Sequence, residues 1–148
     1  MLHLLGHRLA HIVNLKRRLM DARLPAAGMT RSRRQILLML WHAGDCTQKT
    51  LLGHLDMDPG QLARTLDGLE KDGYVRRAPW SANRRCLFVE MTERCRAEAM
   101  PELLAAANDV DELLLRGFSD DERQQMQDML ARMLANFQRQ AAGGDHDD

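Results

Sequence analysis

Residues 47–73 read TQKTLLGHLDMDPGQLARTLDGLEKDG, and residues 74–92 continue YVRRAPWSANRRCLFVEMT. Thr47 suits the N-cap of a helix whose Leu51, Leu52 and Leu55 fall at helical spacing. Asp56-Met57 then leaves room only for a turn. Asp58 reads as a second N-cap, with Pro59 at the first helical position, where no N–H is needed, and Gln61 at the reach-back position of a capping box. From there Leu62, Leu66 and Leu69 recur at i, i+4 and i+7 and define a buried face, which leaves Gly60, Gln61, Arg64 and Gly68 on or near the other. Gly73 supplies the left-handed residue that stops the helix. Tyr74 to Ala78 begins an extended run, and Pro79 to Asn83 turn it. Leu87, Val89 and Met91 then alternate with Phe88 and Glu90 as in a half-buried strand. The expected hairpin carries Arg84 and Arg85 at its tip, and Thr92 can cap the next helix.

Working outward, residues 2–20 form an amphipathic pattern with Leu2, Leu5, Leu9, Ile12 and Leu19 on one stripe. Leu24-Pro25 and Gly28 end it. Thr30 can cap a helix through about His42, with Ile36, Leu37 and Leu40 inward. The cations Arg31, Arg33 and Arg34 crowd its first turn, the unfavourable end of the helix dipole, so an anionic partner is expected. A carboxylate of the acidic half and a nucleic-acid phosphate are equally open. Beyond Thr92 a long helix is expected to about Arg116, kinked or broken at Pro101. Gly117 and the box Ser119-Asp120-Asp121-Glu122 open a last helix. Its stripe of Met126, Met129, Leu130, Met133, Leu134 and Phe137 exceeds what a small core can cover, which predicts pairing with the first helix of a second chain. The methionines read as adaptable packing.

A chain of 148 residues is long enough to bury about 70% of its unfolded surface in one domain. No apolar run approaches the ~20 residues of a membrane span, and the start lacks a signal-peptide pattern; a cytosolic protein is expected. Cys46, Cys86 and Cys95 are odd in number and include no CxxC pair, which argues against a disulfide framework or a structural zinc site. The zero net charge hides a division: residues 1–86 hold 15 Lys+Arg against 7 Asp+Glu, and residues 87–148 hold 6 against 14. A basic first part suits a polyanion, and an acidic remainder suits a solvated surface or a region kept off that polyanion.

These motifs together resemble the MarR family of regulators, nearest to its SlyA-like branch. The resemblance is carried by Gly28-Met29-Thr30-Arg31-Ser32 leading into Gln35-Ile36-Leu37, by Thr47 to Leu52, by Asp58 to Gly73, and by the hairpin from Val75 to Glu93. It implies a fold that is mainly α with a two-stranded β-wing. A winged helix-turn-helix lobe would span 30–92, and dimerisation helices would span 1–28 and 93–140. A disordered tail would follow at 141–148, all in a single MarR-like domain. It implies a homodimer that binds double-stranded DNA at a (pseudo)palindromic operator. The site residues it implies are Thr47, Pro59, Gly60, Gln61, Ala63 and Arg64 around the second helix and Arg76, Arg77, Asn83, Arg84 and Arg85 on the wing. Arg64 can fork onto guanine O6 and N7, Gln61 can pair with adenine N6 and N7, and Arg85 suits a narrow minor groove. The family has Asp-x-Arg in the wing. Here Asn83 substitutes a neutral amide for the charge that orients Arg85.

The resemblance also implies a small aromatic carboxylate or phenolic effector, with His7, His11, Arg34 and Trp41 as candidate lining. His3, His7 and His11 share one helix face and could bind a transition metal or an anion. With no nearby Cys or paired carboxylate they read as polar interface residues, and no metal or cofactor is expected. Cys86, directly after two arginines, is the candidate redox thiol, with an inert cysteine as its plainer reading. No GxGxxG, Walker loop or HExxH points to an enzyme. A winged-helix module that binds only protein is the alternative function.

Overall fold

Four helix starts are each fixed by one side chain. Thr30, Thr47, Asp58 and Thr92 accept from the backbone N–H of Arg33, Thr50, Gln61 and Cys95 at 3.3, 3.1, 2.8 and 3.2 Å. These caps satisfy N–H groups that a helix leaves without partners. The computed structural model describes residues 2–24 and 28–143, in two compact units, Met1–Val110 and Asp111–Asp148. The elements run α1 (Leu2–Arg23), α2 (Arg31–Ala43), β1 (Cys46–Thr47), α3 (Gln48–His54), α4 (Pro59–Lys71), β2 (Val75–Trp80), β3 (Asn83–Met91), α5 (Glu93–Glu98), α6 (Met100–Leu114) and α7 (Asp120–Gly143). Among the described residues no helix is long and apolar enough to cross a membrane.

In the first unit the apolar faces converge as their spacing requires. Ile36 and Leu37 of α2, Leu51 of α3, Leu66 and Leu69 of α4, Val89 of β3 and Leu103 of α6 are fully buried. α4 ends in a two-bond motif around Gly73, whose φ is +79°. Its N–H reaches Glu70 O at 3.0 Å, and the Tyr74 N–H reaches Leu69 O at 2.9 Å. That pairing satisfies the last carbonyls and needs a left-handed residue, which glycine adopts without steric cost. Thr92 closes the base of the hairpin, its hydroxyl donating to Gly73 O at 2.6 Å while it caps α5.

The expected turn and tip are corrected here. The expected two-stranded wing forms from β2 and β3, and β1 extends it to a three-stranded antiparallel sheet ordered β1-β3-β2. Its third strand is only two residues, Cys46 and Thr47, opposite Val89 and Phe88, too short to show any periodicity. The hairpin turn is Ser81-Ala82, because β2 runs on through Pro79 and Trp80. Proline is tolerated there since β2 is an edge strand, and the register shifts at Pro79/Trp80. Arg84 and Arg85 therefore sit in β3 just past the tip, and Leu87, far out on the wing, is exposed. The break expected at Pro101 is present: α5 stops at Glu98, and Pro101 falls in the first turn of α6, where its missing N–H costs little.

In the second unit Ser119 and Glu122 form a reciprocal capping box, Ser119 N–H to Glu122 Oε2 at 2.8 Å and Glu122 N–H to Ser119 Oγ at 3.2 Å. α7 continues through Gly143, so residues 141–143 of the expected tail are helical. Residues 144–148, and Pro25 at the end of the first helix, lie outside the described residues. No residue of α7 is buried.

Candidate nucleic-acid interface

The outward face of α4 begins at the Asp58 cap. Pro59 and Gly60 are exposed, Ala63 is half-buried, and Arg64 is exposed one turn further on. A Cβ on Gly60 would stand 3.1 Å from Arg64 Nη1 and 3.2 Å from Asp58 Oδ1, so the glycine leaves room for the guanidinium to lie across the start of the helix. Arg64 has no carboxylate partner among the described residues. Thr47, half-buried, spends its hydroxyl on the α3 cap and on Thr50 Oγ1 at 2.9 Å.

Gln61 meets its capping expectation only in part. The backbone half of the capping box forms, but the side chain does not reach back. Instead Nε2 donates to Ser32 Oγ of α2 at 2.8 Å in a partly buried contact. Gly68, also expected outward, faces α2 too: a Cβ there would stand 2.8 Å from Arg33 Nη2.

The wing arginines fall into separate roles. Arg77 is largely buried and is held by Asp67 and, at 3.1 Å, by Glu70, so it braces β2 against α4. Arg76 is exposed and pairs with Glu90 at 3.0 Å. Such an exposed pair contributes little and exchanges readily for another anion. Arg84 and Arg85 are exposed and have no carboxylate partner among the described residues. Asn83 Oδ1 accepts from the Arg85 N–H at 3.1 Å, an Asx-type turn that needs an acceptor oxygen but no charge. The neutral amide thus fixes the backbone of Arg85.

The first-turn cations of α2 find carboxylates in the basic half, not in the acidic one. Arg31 and Arg34 both bond Asp21 of α1, at 2.6 and 2.5 Å, and Arg33 bonds Asp72, just past the last helical residue of α4, at 2.6 Å. The sequence signal was the excess of cations at a helix N-terminus; which carboxylate answers it depends on packing. The Arg34 guanidinium, and beside it Arg31, hold the Asp21 carboxyl below its ordinary value of 3.8. A carboxylate depressed by folding adds stability above its unfolded value, and that stability is lost as pH falls through the folded one. Asp21→Asn should therefore lower stability near neutral pH by about 1–2 kcal/mol, a figure reduced for the exposure of Asp21. The gap from the wild type should close below about pH 3.8. Urea midpoints at several pH values measure it, and a gap constant down to strongly acidic pH would rule the linkage out.

The effector candidates are dispersed. His7 and His11 are exposed on α1 with ring centroids 6.2 Å apart. Trp41 is 40% exposed, with the Arg96 guanidinium 5.8 Å from its ring centre. Arg34 lines a crevice of about 220 Å³ between α1 and α2 with Val13, Lys16, Met20, Arg31 and Leu38. Neither His7, His11 nor Trp41 lines it. Of the cysteines, burial pushes the Cys95 thiol up to about 11 against the opposing pull of Arg96. Burial, with Asp45, also raises Cys46. Cys86 is half-buried on the wing.

Comparison with known proteins places this geometry. The sequence profile of the MarR family matches residues 29–87. A crystal structure of MarR is 28% identical, with 94% of each chain covered and a TM-score of 0.77. A mutant MarR from E. coli complexed with operator DNA is 25% identical, with 88% of this chain and 93% of that chain covered and a TM-score of 0.66. Transcriptional regulator PA3341 is 32% identical, with 91% of this chain and 98% of that chain covered and a TM-score of 0.77. With identity at that level over almost the whole of a relative, and the family profile spanning the helix pair and much of the wing, the chain belongs to the MarR family of winged-helix transcriptional regulators.

Proposed function

We propose that this protein binds a (pseudo)palindromic operator in double-stranded DNA as a homodimer in the cytosol and regulates transcription from it, without catalytic activity. α4 enters the major groove, and Arg85, with Arg84 beside it, reaches the minor groove. The observation that carries this is the state of the cations. Arg64, Arg84 and Arg85 are exposed and free of carboxylates among the described residues, on elements whose opposite faces anchor in the core. Free guanidinium groups can exchange counterions for phosphate or fork onto guanine. The solved complex of a MarR relative with operator DNA supports the same use of the fold. Within the family, the chain is read as nearest the SlyA-like branch.

The apolar stripes of α1 and α7 supply the dimer contact. A small aromatic carboxylate or phenolic compound modulates binding from the crevice beside Arg34, whose lining combines the cations Lys16, Arg31 and Arg34 with the apolar Val13, Met20 and Leu38.

A gel shift against the chain's own promoter region tests the reading. A discrete complex on an inverted repeat is expected, weakening steeply with salt. Its half-sites should lie about one turn apart, roughly 34–36 Å. Only weak, sequence-indifferent binding would favour a protein-interaction module instead.

A further inference from the structure

We infer that Ser32 is a positioning residue that holds Gln61 in place to read a base, an inference that rests on the DNA-reading role proposed for α4. Gln61 is half-buried, in the first turn of α4, and donates from Nε2 to Ser32 Oγ at 2.8 Å across 29 residues of sequence. A primary amide has one acceptor oxygen and two N–H donors. Ser32 takes one donor, which leaves Oε1 and the other N–H, the pair that adenine N6 and N7 require in the major groove. Without the serine the amide loses the anchor that holds this pair in place, and adenine loses its advantage.

The contact stands on a fixed base. Adjacent Arg33 donates to Asp72 Oδ2 at 2.6 Å and to Gly28 O at 3.0 Å, and its guanidinium crosses α4 over Gly68, where a Cβ would stand only 2.8 Å away. The first turn of α2 therefore grips α4 at its first turn through Ser32 and near its last turn through Arg33. A side chain ordered in advance loses less freedom on binding, so the anchor acts on discrimination as well as on direction.

Selection from a random duplex pool, with the full chain and with Ser32→Ala, Ser32→Thr and Gln61→Ala variants, tests this. The wild type should select adenine at one position per half-site. Ser32→Ala should weaken that preference about five-fold, as loss of one hydrogen bond allows, with binding to random-sequence DNA unchanged. Ser32→Thr should restore it, and Gln61→Ala should abolish it. If Gln61→Ala changes the preference and Ser32→Ala does not, Ser32 has no positioning role although Gln61 still reads a base. If Gln61→Ala leaves the selected motif intact, Gln61 reads nothing and the inference falls. If the wild type selects no motif, the DNA-reading proposal itself fails.

Discussion

Replacing Arg64 with alanine should weaken operator binding by about 1–3 kcal/mol, roughly five- to 150-fold, as expected for one bidentate base contact. Three features make this the most sensitive position on the lobe. Its helix is held on the opposite face by Leu62, Leu66 and Leu69, all buried, so the side chain projects from a rigid support. Its guanidinium crosses the start of the helix over a glycine that leaves it room. It has no ion pair to give up among the described residues, whereas Arg77, on the next element β2, is committed to Asp67 and Glu70. Arg64→Lys should recover part of the loss on any DNA, because the charge returns, but not the selectivity, because an ammonium cannot form the planar fork. Fluorescence anisotropy at matched salt, on operator and on random-sequence DNA, measures both. An equal loss on the two DNAs would make Arg64 a phosphate contact and remove its role in base reading.

The same contrast explains how much of the interface was legible beforehand. Caps, glycine stops and the leucine face of α4 depend on residues within one or two turns, so the sequence displays them directly. Side-chain pairing across the fold is different. Asp58-Pro59-Gly60-Gln61 and Ser119-Asp120-Asp121-Glu122 show the same box pattern. Glu122 reaches back to its own helix start, but Gln61 lies beside α2 and finds Ser32. The basic run Arg31 to Arg34 likewise announced a need for anions without saying which. Arg31 and Arg34, three apart, reach Asp21 of α1, while Ser32 and Arg33 reach α4. One helical turn thus joins α1 to α4, and only the crossing of three helices determines that. The cationic cluster Arg76, Arg77, Arg84 and Arg85 was visible as charge. Its separation into a brace, an exchangeable pair and two free groups was not, because the answering carboxylates Asp67, Glu70 and Glu90 had first to be brought opposite.

Placing glutamate at both Leu134 and Phe137 should convert the protein to a monomer and reduce its affinity for a two-half-site operator by about 10²–10⁴-fold. These side chains are 63% and 77% exposed in the single chain. They continue a stripe through Met126, Met129, Leu130 and Met133 along a helix of 24 residues that buries no residue. A helix this exposed derives little stability from its backbone alone, and each large apolar side chain gains about 1.5–3 kcal/mol when fully covered. α1 carries a complementary surplus, with Leu5, Leu9, Ile12 and Val13 exposed. Two surplus stripes on one chain are satisfied twice over when a second copy approaches by a two-fold axis, since each contact is then made in both directions. DNA affinity follows because joining two lobes makes the second half-site encounter intramolecular. Sedimentation should show the shift from dimer to monomer, and the variant should bind a single half-site as the wild-type lobe does, which separates lost assembly from a damaged reader. A variant that stays dimeric would move the interface away from α7. A monomeric variant that still binds the full operator with wild-type affinity would show that one lobe suffices, and the two-fold mode of recognition would have to be abandoned.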